Sequence, residues 1–240
     1  MKYAVLSDVH ANLEALKAVL RDIRNKKIPL ILFLGDAVGY GPEPGECVRV
    51  LAAECSVLLA GNHDWAVLGL TNADYFNIYA RMAIEWTRAT MEESCLSTLK
   101  RFSLTKKISK DKIFLVHATP REPERWHYLL SLQDAEINFS CFDTRLCLLG
   151  HSHRPMIIRR LPTGQVFNYK HKTELATGRY IVNVGSVGQP RDGDPRACYA
   201  VVNDDLIALC RVQYDIEKTQ SKMKEYGLPT PLIERLSRGV

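Results

Sequence analysis

"KYAVLSDVHANLEALKAVLRDIRNKKIPLILFLGD", residues 2–36, decides the fold. "KYAVLSD" is a short apolar run closed by polar residues, which reads as a strand. "ANLEALKAVLRDIRNKK" then carries Leu13, Leu16, Leu20 and Ile23 on one face at helical spacing. Its last turn is basic, which suits the negative end of a helix dipole. "PLILFLGD" is a second apolar strand. Farther along, "PGECVRVLAAE" (44–54) reads as a helix and "SVLLAGNHD" (56–64) as a third strand. The opening 65 residues therefore alternate β-α-β-α-β, the signature of an α/β fold on a parallel sheet.

Residues 73–102 keep helical periodicity, with Tyr75, Phe76, Tyr79 and Trp86 expected on the core face and part of the segment expected to cap a site. "KIFLVHA" (112–118) and "RLCLLGHSH" (145–153) read as strands, and "REPERWHYLLSLQDAEINF" (121–139) as a helix between them. The texture then changes. "PMIIRRLPTGQVFNYK", "GRYIVNVGS" and "ACYAVVNDDLIALCRVQY" are β-rich pieces with turn signals at "PTGQ" and "NDD", an antiparallel section. "DIEKTQSKMKEYG" reads as a closing helix. No repeat, low-complexity stretch or linker interrupts the chain, so residues 1–240 are expected to form one domain.

With 46% hydrophobic and 25% charged residues, the composition is that of a globular protein. The longest apolar runs are far short of a membrane span. "MKYAVLSDVH" reaches Asp8 and His10 before a signal-peptide core could form, so the expected compartment is the cytosol. The seven cysteines are irregularly spaced without a C-x-x-C, which suits reduced core thiols rather than a disulfide frame or a thiolate metal site. The net charge of +5 gathers in "RDIRNKK", "KKISKDK" and "IIRRL", solvated surface that also attracts anions such as phosphates. No RNP motif or zinc finger accompanies it, so nucleic acid is not the expected partner. A homo-oligomer is left open.

Five apolar strands each end in a polar tip: Asp8 and His10; Asp36; Asn62, His63 and Asp64; His117; His151 and His153. The carboxyl ends of parallel strands share one sheet edge, where α/β folds bind ligands. A single polar tip is more often a capped strand end; five of them built from Asp, Asn and His converge on a site. Imidazole, carboxylate and amide oxygen are ligands for Zn, Mn, Fe, Co or Ni, with no thiol to select a softer ion. Asp8 and His10 are two apart, as are His151 and His153, so in extended chain each couple points to one face. Seven such ligands are too many for one tetrahedral zinc and suit two divalent ions sharing a carboxylate.

These residues in this order, D-x-H, G-D, G-N-H-D, H and G-H-x-H, resemble the calcineurin-like metallophosphoesterase superfamily. "NVGSVGQPRDGDPRACYAV" is similar to its small bacterial branch, which includes YfcE-like phosphodiesterases. The resemblance implies a four-layer α/β/β/α sandwich with the β-rich second half as the second sheet. It implies one ion on Asp8, His10, Asp36 and His153, and another on Asp36, Asn62, His117 and His151, with Asp36 bridging. Such a dinuclear site activates a bridging hydroxide and neutralises phosphate oxygens during in-line attack. His63, one residue beyond the ligand Asn62, faces away from the ligand direction; the resemblance puts it over the site as general acid, with Asp64 orienting it.

Asn12 has two readings, substrate contact and N-cap of the following helix. Arg191, in "GQPRDGDPR", is a candidate phosphate clamp or a solvated loop arginine. Asn183, Gly185 and Ser186 are expected to shape a turn nearby, while His127 and His171 read as surface residues. Protein phosphatases of the superfamily carry G-D-x-V-D-R-G, whereas this chain has "GDAVGYG" at 35–41, which disfavours protein substrates. The expected activity is metal-dependent phosphodiester hydrolysis on nucleotides or other small phosphorylated substrates. Phosphomonoester or dinucleoside polyphosphate hydrolysis is the alternative. A Rossmann nucleotide enzyme is poorly supported, because the first turn, "SDVHANL", lacks G-x-G-x-x-G. A non-enzymatic scaffold would show eroded ligands, and none of the seven is replaced.

Overall fold

Strand β1 (Tyr3–Leu6), helix α1 (Leu13–Asn25) and strand β2 (Leu30–Phe33) form the expected unit, with β1 and β2 parallel and Val5 opposite Leu32. The computed structural model describes residues 2–108, 110 and 112–240. Helix α2 (Pro44–Glu54) starts on a proline, whose missing N–H would have been unpaired there anyway. Strand β3 is only Val57–Leu58, and Asn62–Val67 is a short helix, α3, rather than a continuation of the strand. A 3₁₀ turn at Ala73–Tyr75 leads to α4 (Ile78–Thr90) and α5 (Glu93–Leu99). Strands β4 (Thr105–Ile108) and β5 (Ile113–Val116), helix α6 (Leu132–Asn138) and strand β6 (Leu146–Leu149) follow. The β-rich section comprises β7 (Met156–Arg160), β8 (Val166–Tyr169), β9 (Lys172–Glu174), β10 (Arg179–Asn183), β11 (Ala197–Val202) and β12 (Leu206–Val212). Helices α7 (Ile216–Glu225) and α8 (Thr230–Arg238) close the chain.

Two mixed sheets result, ordered β3-β2-β1-β11-β12-β9 and β4-β5-β6-β10-β7-β8. The β-rich second half does not make the second sheet alone. It is divided: β11, β12 and β9 extend the first sheet, while β10, β7 and β8 join β4, β5 and β6. Burial explains the division. β11 is buried along its whole length and β10 along all but its first residue, so each needs a central position in a different sheet.

Alternating side chains build the layers. In β1, Ala4 and Leu6 pack with α1 and α2 residues such as Leu16 and Leu51, while Tyr3 and Val5 meet Leu148 and Val182 of the other sheet. In β6, Leu146 and Leu148 face the first sheet, while Cys147 and Leu149 pack with Ala135 of α6 and with Phe139 just after it. The order is helix, sheet, sheet, helix.

Two helical expectations change. In α4 the buried stripe is Ala80, Ala83, Ile84 and Thr87; of the four expected aromatics, Phe76 and Trp86 pack against the core and are partly buried. Tyr75 is 86% exposed and Tyr79 43%, while Trp86 rests half-buried against Tyr226. Both stripes fit a 3.6 period, and the small side chains admit the closer approach. In 121–139 only Leu132–Asn138 is α-helical. Left-handed backbone at Glu122 (φ 45°) and Trp126 (φ 56°) flanks a 3₁₀ turn at Pro123–Arg125, and Ser131 caps α6 in a capping box with Asp134. Cys47, Cys95, Cys147 and Cys198 are buried free thiols, and Cys141 is exposed. No helix among the described residues is long and apolar enough to cross a membrane.

Candidate active site

The five polar tips lie at the carboxyl ends of β1, β2 and β3 in one sheet and of β5 and β6 in the other. Backbone bonds zip the tips together: Asp8 N–H to Gly35 O (2.9 Å), His10 N–H to Asp36 O (3.0 Å) and Gly150 N–H to His117 O (2.9 Å). The His151 N–H donates across the sheets to Asp8 Oδ2 at 3.0 Å. The spacing-two couples do not use extended chain. Asp8 (φ 55°), His10 (48°), Asp36 (58°), His151 (65°) and His153 (57°) are all left-handed. Such backbone is uncommon outside glycine, and Asp and His are among the residues that tolerate it best. Two glycines admit the carboxylates: a Cβ on Gly61 would lie 2.1 Å from Asp36 Oδ1, and one on Gly150 would lie 2.4 Å from Asp8 Oδ2.

All seven expected ligands are buried here. His10, His117 and His153 each donate Nδ1–H to a backbone carbonyl, of Val38 (3.1 Å), Leu34 (3.0 Å) and Gln189 (2.6 Å). A carbonyl only accepts, so Nδ1 carries the hydrogen, and in the neutral ring Nε2 keeps a lone pair that points inward, the tautomer that outer hydrogen bonds select for metal-binding histidine. His10 Nε2 and His153 Nε2 then stand 3.1 Å apart. Two lone pairs at that distance repel unless a cation or proton lies by them. His151 is held the other way round, with Nε2–H on Trp126 O at 2.8 Å, which leaves its lone pair on Nδ1.

Asp8 Oδ1 lies 3.2 Å from His153 Nε2, 3.9 Å from His10 Nε2 and 4.0 Å from His117 Nε2, and is buried without a hydrogen-bond partner. Asp36 Oδ2 lies 3.3 Å from His117 Nε2 and 3.6 Å from His10 Nε2. Asn62 Oδ1, from the first turn of α3, sits 3.3 Å from His117 Nε2. Burial alone would raise both carboxylates, yet the imidazoles around them, His153 for Asp8 and His117 for Asp36, hold each below its ordinary range. Burial likewise opposes a charge on His117, but the Asp36 and Asp8 carboxylates push it up to about 9. Burial presses His151 down to about 3. The donors fall into sets whose ligand atoms all lie within 4.8 Å of one another: Asp8, His10 and His153; Asp36, His117 and His151; His10, Asp36 and His63. A buried set of oxygens and imidazole lone pairs carrying two negative charges fits divalent cations of borderline hardness.

His63 begins α3 beside Asn62 and turns toward the cluster, not away from it. Its ring packs 4.8 Å from that of His10, 4.5 Å from Tyr40 and 4.9 Å from Phe76, and its Nδ1 is buried without a partner. The helical turn explains the difference, because the alternation of a strand does not apply at the start of a helix. Burial lowers its pKa to about 4, with Asp36 opposing and Arg191 assisting. Asp64 does not reach the His63 ring. Its Oδ2 accepts from the N–H of Asp36 (2.9 Å) and Gly61 (2.9 Å), and its Oδ1 from Ala37 (3.0 Å) and Val38 (3.2 Å). Asp64 fastens two ligand loops.

Asn12 also turns inward. Its Oδ1 caps α1 at Ala15 N–H (3.1 Å) and accepts from Thr219 Oγ1 (3.1 Å), and its Nδ2 donates to Gly188 O (2.9 Å). At 1% exposure the amide is enclosed by these partners rather than open to substrate. Arg191 sits at the rim, its N–H on His153 O and its guanidinium carbon 5.6 Å from the Tyr40 ring centre. Asn183 Nδ2 binds Gly150 O (2.6 Å), Gly185 is left-handed (φ 76°) and Ser186 Oγ donates to Asp8 O (2.8 Å), so this turn does brace the site. His127 and His171 are exposed and outside the cluster.

Four neighbours were not read from the sequence. Tyr40 wedges between His10 and His63, Trp126 supplies the carbonyl for His151, Tyr128 stacks on His151 at 4.2 Å and 16°, and Gln189 supplies the carbonyl for His153. The signals available were the glycines around Tyr40 in "GDAVGYG" and the aromatics of "RWHY" after Pro123.

The calcineurin-like phosphoesterase superfamily domain matches residues 1–205. The chain belongs to that superfamily. It is a metal-dependent phosphoric ester hydrolase by family. The chain is 40% identical to an uncharacterized protein of Methanocaldococcus jannaschii, over 98% of this chain and 97% of the other. A crystal structure of a metallophosphoesterase from Sphaerobacter thermophilus superposes with a TM-score of 0.87 at 41% identity, covering 100% of this chain and 99% of that one. Phosphodiesterase YfcE of Escherichia coli is 22% identical over 87% of this chain and 91% of its own.

Proposed function

We propose that the protein is a dinuclear metal phosphoesterase of the cytosol acting on small phosphorylated substrates, with phosphodiesters of nucleotides as the leading class. The observation that carries this reading is the facing couple of His10 Nε2 and His153 Nε2 at 3.1 Å, each with its Nδ1 committed to a carbonyl. One ion would be held by Asp8, His10, Asp36 and His153, and a second by Asp36, Asn62, His117 and His151, with Asp36 shared. Mn, Fe, Zn, Ni and Co all suit this donor set. When bound, two such ions supply Lewis acidity that lowers the pKa of water and neutralises phosphate oxygens.

The residues of the chain do the rest. Asp8 and Asp36 bring two negative charges and the imidazoles none, so the loaded site stays cationic and attracts a phosphate anion. His63, within reach of Asp36 and His10, would give the departing oxygen its proton once a bound phosphate anion offsets the burial that lowers its pKa to about 4. Arg191 stands at the rim, where its guanidinium receives a phosphate group of the substrate. Tyr40 and Phe76 cover the His63 ring and keep water from it.

Metal analysis of the purified protein, combined with hydrolysis of bis-p-nitrophenyl phosphate and p-nitrophenyl phosphate, tests this. About two equivalents of divalent metal and turnover of the diester are expected. No turnover of either ester with Mn, Ni, Co, Fe or Zn supplied would reject the reading.

A further inference from the structure

Arg191 and Arg235 direct their guanidinium groups at one acceptor, Gln189 Oε1. Arg191 donates through Nε (3.2 Å) and Nη2 (2.7 Å), and Arg235, from α8, through Nη1 (3.2 Å). Gln189 is 1% exposed and uncharged, so two cations share one neutral oxygen. Among the described residues, neither arginine has an ion pair with Asp or Glu. The neighbouring arginines differ: Arg196 binds Asp194 at 2.6 Å, and Arg211 binds Asp192. Acids were available in the same loop, and the 191/235 couple does without them.

Like charges held together through a neutral amide repel, and an anion between or beside them removes the repulsion. Donors remain for it. Arg235 Nε is spent on a main-chain carboxylate oxygen of Val240, the last residue of the chain, at 2.6 Å, but no described residue accepts from Arg191 Nη1 or Arg235 Nη2. Gln189 Nε2 is a third donor, buried and without a partner. The couple adjoins the reaction centre: Gln189 O orients His153, and Arg191 lies over Tyr40, whose ring touches His63. Planar guanidinium forks match phosphate oxygens two at a time. Arg235 also lies beyond the stretch matched by the superfamily domain, so this partner belongs to the chain's own C-terminal helix.

We propose that Arg191 and Arg235 form a second anion subsite, and that the preferred substrate carries a second phosphate in addition to the one attacked. This rests on the phosphoesterase reading and narrows it. The second phosphate comes either from an anhydride chain or from another position of the same molecule.

Calorimetric titration of the purified full-length protein with adenosine monophosphate, adenosine diphosphate and adenosine 3′,5′-bisphosphate tests the subsite. At least one two-phosphate ligand should bind about tenfold tighter than the monophosphate. Preference for the diphosphate identifies a chain, and preference for the bisphosphate identifies separate positions. Arg235→Gln should abolish the preference and Arg235→Lys should retain part of it, which separates lost charge from lost fold. Gln189→Glu, nearly isosteric, would set a carboxylate between the guanidiniums; it should raise the melting temperature while erasing the preference. Equal affinity for all three ligands, or a preference that survives Arg235→Gln, would overturn the subsite. Preference without hydrolysis of any phosphoester would leave the subsite standing and sink the phosphoesterase reading; hydrolysis without preference would do the reverse.

Discussion

Two shells of buried polar residues meet at the strand ends, and they obey opposite rules. In the outer shell, Asp64, Asn12 and Asn183 each meet matched partners. Asp64 accepts four backbone N–H groups, Asn12 makes three bonds, and Asn183 bonds Gly150, Ser152 and Gly185. In the inner shell, lone pairs face lone pairs across His10 and His153, and Asp8 Oδ1 and His63 Nδ1 have no partner. Burial without a partner is expensive, so a fold tolerates it where the groups have another task. The contrast separates residues whose loss should damage turnover from those whose loss should damage the fold, although both kinds are buried Asp, Asn and His.

The sharpest way to break this division is Asp36→Asn. The change removes one of the two inner charges and keeps the size of the side chain. Activity on bis-p-nitrophenyl phosphate should fall on the order of 10³-fold or more, as for loss of a main electrostatic element of a site. The fold should survive. Divalent ions at about 100 times their dissociation constant stabilise a protein by about 2.7 kcal/mol, so adding Mn should raise the melting temperature of the parent and do so far less in the variant. An unimpaired variant would remove Asp36 from the metal set.

His63→Ala is next in size. Loss of a general acid typically lowers rates by about 10²- to 10⁴-fold, and the loss should grow with the basicity of the leaving group. A series of substituted phenyl esters measures it. A uniform loss across the series would assign His63 to packing among Tyr40, His10 and Phe76 instead.

The inner shell was the more legible of the two in the sequence, because its chemistry resides in residue type. Asp, Asn and His at five apolar run ends mark their place without any knowledge of backbone angles. What those tips look like was not legible. Left-handed φ at Asp8, Asp36 and His153 has no period to betray it, and Asn62 and His63 follow an apolar run that reads as strand although a helix starts there. The outer shell depends on contacts between distant segments. Asn12 is tied to Gly188 and Thr219, and Arg235 meets Arg191 only because α8 folds back over Gln189. Local spacing carries none of that. The β-rich half failed for the same reason, since sheet membership of β10 and β11 is set by which faces need covering.

Asp64→Asn tests the outer shell at its strongest point. The substitution exchanges acceptor lone pairs for an NH₂ aimed at backbone N–H groups of the Asp36 and Gly61 loops. Stranding buried donors costs about 1–3 kcal/mol each, so roughly 3 kcal/mol of stability should be lost in chemical denaturation. Burial and the nearby Asp36 push Asp64 up to about 7, while the N–H donors favour its charge. Four such donors leave no acceptor for a proton to serve, so the charged form fits the observed bonds. A destabilised variant whose residual folded fraction keeps near-parental kcat would confirm a fastening role; a kcat loss with normal stability would return Asp64 to the chemistry.

The smallest effect is expected at Asn12→Ala, and it discriminates most finely because Asn12 lies only two residues from the proposed ligand His10. Losing the cap of α1 costs about 1 kcal/mol, and the Gly188 O and Thr219 Oγ1 partners lose their bonds as well. A decrease of about 1–2 kcal/mol in unfolding free energy is expected. The Michaelis constant for bis-p-nitrophenyl phosphate should change less than twofold, because the amide is enclosed by protein partners. A rise of tenfold in that constant with stability intact would mean that the side chain leaves its cap to meet substrate, and the boundary between the two shells would then run through Asn12 rather than in front of it.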